Sequence, residues 1–178
     1  MVRFRSWARP FAAAGLGLAA TTVLLAAPAG AATRGPSVAT LLARCTTQHV
    51  AASTAPRTAM FRELQCIRRT AGLHAFAQSS PIGGVAKHWS AAMASNDLLQ
   101  HNPDLVEQAA AVDTRWQLVG EVIGFSTVGA GQVNRVVAAW LRSPVHRALL
   151  LDPRLKVVGI GLLTGGDRFW ATVDLVDG

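Results

Sequence analysis

Apart from a leader and one short apolar run at 118–125, apolar residues follow a helical spacing up to about residue 151 and a strand alternation after it. Val38, Leu41, Leu42 and Cys45 mark one helix face at i, i+3, i+4, i+7, with Ser37 placed to cap it. The stretch 51–57, AASTAPR, interrupts that pattern. A second helix is predicted from about Thr58 to Thr70, with Met60, Leu64, Ile67 and Ala71 on one face and Gly72 ending it. Ser80-Pro81 opens a third, reaching Asn96. Ile82, Val85, Ala86, Trp89 and Met93 form its stripe, while Gly83 and Gly84 weaken its first turn. His101-Asn102-Pro103 breaks the pattern ahead of a short helix at 104–111.

Leu118 to Phe125 is a short apolar run with one charge, Glu121, and reads as a strand. Residues 126–131 form a loop, and a helix follows over 132–142 with Val133, Val136, Val137 and Trp140 inward. Ser143-Pro144 reads as an N-cap and first helical residue for 144–151, with the Ser143 hydroxyl aimed at the next turn. Asp152-Pro153 stops that helix. The end is a hairpin of strands 156–163 and 168–176 around Thr164-Gly165-Gly166-Asp167. Helices first and a hairpin last predict an α+β fold, with helices around a small antiparallel sheet.

The first 32 residues have a different logic. Arg3, Arg5 and Arg9 precede an uncharged Ala/Leu-rich stretch from Phe11 to Ala27, and Ala29-Gly30-Ala31 supplies small residues for cleavage after Ala31 or Ala32. This is the pattern of a secretory signal peptide. The alternative, a retained membrane anchor, would need a longer apolar run than these residues offer. The chain therefore divides into a leader at 1–32, an N-terminal helix and linker at 33–57, and a domain at 58–178. Export favours pairing of the two cysteines, Cys45 and Cys66, which would staple the first helix to the second. Two buried free thiols are the alternative.

Charge changes the picture less than it first suggests. Lys and Arg number 17 against 10 acids, a formal charge of +7. Three of those basic residues lie in the leader, so the remaining chain carries 14 against 10, or +4. Its arginines are spread over the helices, and no nucleic-acid motif accompanies them. The 51% hydrophobic content excludes a disordered polyelectrolyte, and two cysteines exclude a zinc site built from cysteine alone. A monomer is expected.

Three residues have the types that carry chemistry: His101 beside a proline, Glu121 alone in LVGEVIGF, and His146 in the first turn of a helix. Their separations match no metal or hydrolase motif. Taken singly they read as a hydrogen-bonded loop histidine, a strand-edge glutamate and a surface histidine. His49, His74 and His88 read as structural or solvent-facing. Trp89, Trp140 and Trp170 read as core, and Trp116 is the tryptophan best placed to reach a cleft. Arg147 is expected to pair with Asp152, with anion binding as the alternative.

The segments LLQHNPDL, WQLVGEVIGFS and W-x-x-S-P-x-H-R-x-x-L-L followed by V-G-I-G, over about 58–176, resemble the CAP superfamily of cysteine-rich secretory, antigen 5 and pathogenesis-related-1 proteins, in particular its short secreted bacterial members. The resemblance implies an α-β-α sandwich with a cleft lined by a His-Glu-Glu-His tetrad. His101, Glu121 and His146 fall on three of those positions, and Ser143 stands where the second Glu would be. Val122 replaces the usual Asn after the first Glu. Two imidazoles, one carboxylate and an open position suit zinc as a divalent cation. The implied work is non-catalytic binding of a small lipid, another cell-envelope molecule or a cation, with no catalytic residue assigned. A metal-dependent or serine-type hydrolase and an extracellular interaction module are the alternatives.

Overall fold

The structure, a computed structural model, describes residues 3–4, 35–46 and 55–178. The expected leader, apart from Arg3–Phe4, lies outside the described residues, as does His49. The elements run β1 (Arg3–Phe4), α1 (Val38–Cys45), α2 (Pro56–Thr70), β2 (Ala77–Gln78), α3 (Ser80–Asn96), α4 (Leu105–Val112), β3 (Leu118–Thr127), α5 (Gln132–Arg142), α6 (Pro144–Leu150), β4 (Leu155–Gly165) and β5 (Arg168–Asp177). Local chemistry sets several ends. The Ser37 hydroxyl accepts from the Thr40 amide at 3.1 Å, and Ser79 caps α3 through the Ile82 amide. Pro56 takes the first turn of α2, two residues before the expected start. Gly72, at φ 70°, closes α2 as the Leu73 amide returns to the Arg68 carbonyl.

The sheet runs β1-β3-β5-β4-β2. Strands β3, β5 and β4 are antiparallel, as expected, but β2 pairs parallel with β4. The sheet is therefore mixed, because the chain between α2 and α3 lays two residues along the β4 edge. Gly166, at φ 59° in the first central position, closes the β4–β5 hairpin in two residues and lets both strands run longer than the apolar alternation alone implied.

Strand β5 is buried from Phe169 to Val176 without a break, so helices must cover both faces. On one face Val119 and Val176 pack with Ile82, and Ile123 and Trp170 with Met93, which seats α3 and α4. On the other, Val122, Ala171, Val173 and Leu175 pack with Leu41, Met60, Leu64, Val137 and Leu141 of α1, α2 and α5. The Cys45–Cys66 disulfide joins α1 to α2, with Cα atoms 5.5 Å apart. Helix α3 lies directly on β4: a Cβ on Gly161 would overlap the Ala86 backbone, and one on Gly159 the Ile82 backbone. Ser90 fixes the same contact through its hydroxyl, which donates to the Gly161 carbonyl at 3.0 Å and bonds the Thr172 hydroxyl at 2.8 Å.

Two buried polar side chains stand out in α2. Glu63 has no hydrogen-bond partner for either oxygen, and burial lifts its pKa to about 8, so it is the neutral acid at pH 7. Arg68 is fully buried and donates to the carbonyls of His74 (2.9 Å), Leu150 (3.3 Å), Asp152 (2.7 Å) and Leu155 (3.1 Å). It also stacks on Phe76, 4.4 Å from the ring centroid. One guanidinium thus ties α2 to the end of α6 and the start of β4. Arg68→Ala would orphan buried carbonyls and open a cavity, so denaturant unfolding should show a loss of about 3 kcal/mol or more. Arg68→Lys should recover little of it, because an ammonium lacks the planar fork.

Candidate functional site

Alternation along β3 turns Val122 toward α5 and Glu121 toward the α3–α4 layer. The route to Glu121 from the other side begins where α3 ends. Asp97 takes a left-handed conformation (φ 48°, ψ 39°), and its carboxylate holds Arg168 at the start of β5. The chain then returns along the helix layer, where the Trp89 indole donates to the Gln100 carbonyl at 2.8 Å. This delivers His101, whose Nδ1 meets Glu121 Oε1 at 2.7 Å. The same oxygen accepts the Asn102 amide at 3.0 Å. Asn102 is itself buried, bonding Gln108 through its side-chain amide and accepting the Asp104 amide, so the His-Asn-Pro segment is pinned to α4.

These residues line a cavity of about 240 Å³. His101, Asn102 and Glu121 form its polar end, and Pro103, Leu105, Val106 and Val119 its apolar wall. Glu121 Oε2 has no hydrogen-bond partner in the protein. Burial raises the Glu121 pKa, against the lowering pull of the Asn102 amide and of His101. Beside it, Asp174 stands opposite Glu121 in the β3–β5 register, fully buried with both oxygens unpartnered. Opposed residues on neighbouring strands bring their Cβ atoms to about 4.5–5.5 Å. Burial first, and then the Glu121 charge, hold the Asp174 pKa well above the ordinary aspartate range. Asp174, which does not line the cavity, thus lies beside Glu121 as a second buried carboxyl behind the polar end.

Of the four residues implied by the family pattern, His101 and Glu121 are in direct contact. His146 is half-buried in the first turn of α6, and its pKa is lowered by burial and then by the charge of His101. It does not line the cavity. Ser143 precedes α6 as its N-cap residue, but its side chain makes no capping hydrogen bond, contrary to expectation. Only its backbone serves, accepting the Arg147 amide at 2.9 Å. Among the described residues no hydrogen bond joins Ser143 to His146. Arg147 donates to the Leu141 carbonyl at 2.7 Å rather than pairing with Asp152, because Asp152 is held by Arg154. Trp116 packs against the cluster of Leu105, Ala109 and Val119 and is not among the cavity's lining residues.

The side chains as arranged do not fit a cation. His101 bonds Glu121 through Nδ1, and His146 does not line the cavity with them. Among the described residues no group of three His, Cys, Asp or Glu side chains is placed to hold a metal ion. Asp174 and the apolar wall are the site features that the sequence reading missed.

The proximity of His146 to His101 has a measurable consequence. In an NMR pH titration His146 should titrate below 6.5, and His101→Gln should move it upward. A folded-state pKa below the unfolded one means that this contribution to stability is present above pH 6.5 and is lost as the pH falls below it. A His146 midpoint indifferent to His101→Gln would show that the two imidazoles do not interact.

The model of the CAP family, cysteine-rich secretory proteins, matches residues 61–175. No curated protein sequence matches the chain. Among solved structures, an extracellular protein containing an SCP domain from Bacillus anthracis is 24% identical with a TM-score of 0.57, over 68% of this chain and 40% of that one. An outer surface protein from Borrelia burgdorferi is 20% identical with a TM-score of 0.61, over 68% of this chain and 92% of that one. A cysteine-rich secretory protein from Staphylococcus aureus is 12% identical with a TM-score of 0.56, over 71% and 40%. The match thus spans about two fifths of the length of two of these three proteins.

Proposed function

Because the chain belongs to the CAP family of cysteine-rich secretory proteins, we propose that it is an exported binding protein whose cavity between α4 and β3 takes one small amphipathic molecule. The observation that carries this reading is the cavity's division. Four apolar residues suit an aliphatic part and His101, Asn102 and Glu121 a polar head, and Glu121 Oε2 is buried without a protein partner. A buried polar atom without a partner costs about 1–3 kcal/mol, so a ligand hydroxyl or amine bonding there would recover that cost on binding. A small lipid or another cell-envelope molecule has this chemistry. The leader pattern and the Cys45–Cys66 disulfide support export. No described helix is long and apolar enough to cross a membrane.

A hydrolase needs a positioned nucleophile or metal, and the Ser143 and His101 geometry favours neither. The His101–Glu121 pair is assigned the work of orienting the polar head.

Native mass spectrometry of the purified protein tests this. The unmodified chain should carry a co-purifying small molecule, and Val106→Trp, which fills the cavity from the partly exposed face of α4, should lose it while remaining folded. Equal occupancy in both proteins, or none in either, would contradict the reading.

A further inference from the structure

The layer on the far side of the sheet from the cavity carries its charges in one sign. Arg62 and Arg69 on α2 are seven residues apart, and so are Arg135 and Arg142 on α5. Seven residues is two helical turns to within about 20°, so each pair occupies one face of its helix. All four are exposed, while the opposite faces of both helices pack on the sheet. Arg135 donates to the Thr127 and Ala130 carbonyls. Helices α2 and α5 pack against each other and both contact α1, so the two arginine pairs lie in the same helix layer.

No exposed acid interrupts it. Glu63 is the one acidic residue within α1, α2, α5 and α6, and it is buried and neutral at pH 7. Asp97, Asp104, Glu107 and Asp113 lie with the opposite layer, and Asp152, just beyond α6, is tied to Arg154. The net charge of the chain understates this asymmetry, because most surface acids are on the other side.

We infer that the outer face of α2 and α5 docks on an anionic phospholipid surface. Guanidinium groups match phosphate by paired N–H donors. Four or more clustered basic side chains at such a surface are the usual signature of anionic-lipid binding. The neighbouring Val145, 64% exposed three residues beyond Arg142, adds an aliphatic contact that a bilayer rewards and a soluble polyanion does not. Docking by this face leaves the cavity on the opposite layer open, so it is independent of what the cavity holds.

Sedimentation with vesicles of phosphatidylcholine, with and without phosphatidylglycerol, in about 0.1 M salt tests it. The purified protein should bind only the anionic vesicles. Arg62→Glu with Arg142→Glu should weaken that binding at least tenfold, and the milder Arg62→Gln with Arg142→Gln should weaken it less. Lys87→Glu with Arg115→Glu, which makes the same change in net charge on the other layer, should leave it within about twofold. All these positions are exposed, where substitutions shift stability by about 0.5 kcal/mol or less, and circular dichroism checks that each variant is folded. Equal losses in the two Glu pairs would replace the docking face with bulk charge. Equal or tighter binding to heparin, or no binding to anionic vesicles, would overturn the lipid surface as partner.

Discussion

The contact between α3 and the two glycines of β4 sets the geometry of everything on that side of the sheet. Gly159 and Gly161 let the helix backbone rest on the strand. At that separation Ser90 reaches both Gly161 and Thr172, and Met93 reaches Trp170. The 17-residue helix then ends over the start of β5, where Asp97 turns the chain back beside Arg168. The returning segment has only the length to place His101 over Glu121. A side chain at either glycine would lift the helix and carry His101 with it.

The same contact explains why acids are buried there. With α3 covering β5, the position opposite Glu121 is removed from water, and Asp174 shares its fate. Two adjacent carboxyls in such a place disfavour each other's charge, and burial raises the pKa of both. The site thus presents a buried carboxyl next to an imidazole and an aliphatic wall. That combination suits recognition of a polar head with a short tail better than coordination of a cation. On the far face Arg68 does comparable work by purely structural means, gathering carbonyls from three chain segments.

Helix positions and the closing hairpin were legible in the spacing of apolar residues, since burial on one face imposes that spacing directly. The pairing of His101 with Glu121 was not, because 20 residues and a helix separate them, and only the resemblance of the surrounding motifs joined them. The burial of Arg68 was not read from the sequence, although it sits four residues after Leu64 on the apolar face, which was the available signal. Asp174 alternates with core residues, and an acid in that pattern gives no sign that it is buried. The glycines two apart in V-G-I-G were the hint that a helix covers that face. The two-residue parallel strand β2 was too short to leave a pattern. The arginine pairs of α2 and α5 looked scattered in sequence because their alignment exists only once the two helices lie side by side.

The central claim is that the cavity under His101 is a binding site completed by a ligand donor at Glu121. A high-resolution crystal structure of the purified protein, with nothing added, tests it most directly. The account predicts continuous non-protein density along Leu105, Val106 and Val119, with one atom within hydrogen-bonding distance of Glu121 Oε2. A cavity holding only ordered water that bridges Glu121 and Asp174 would contradict it.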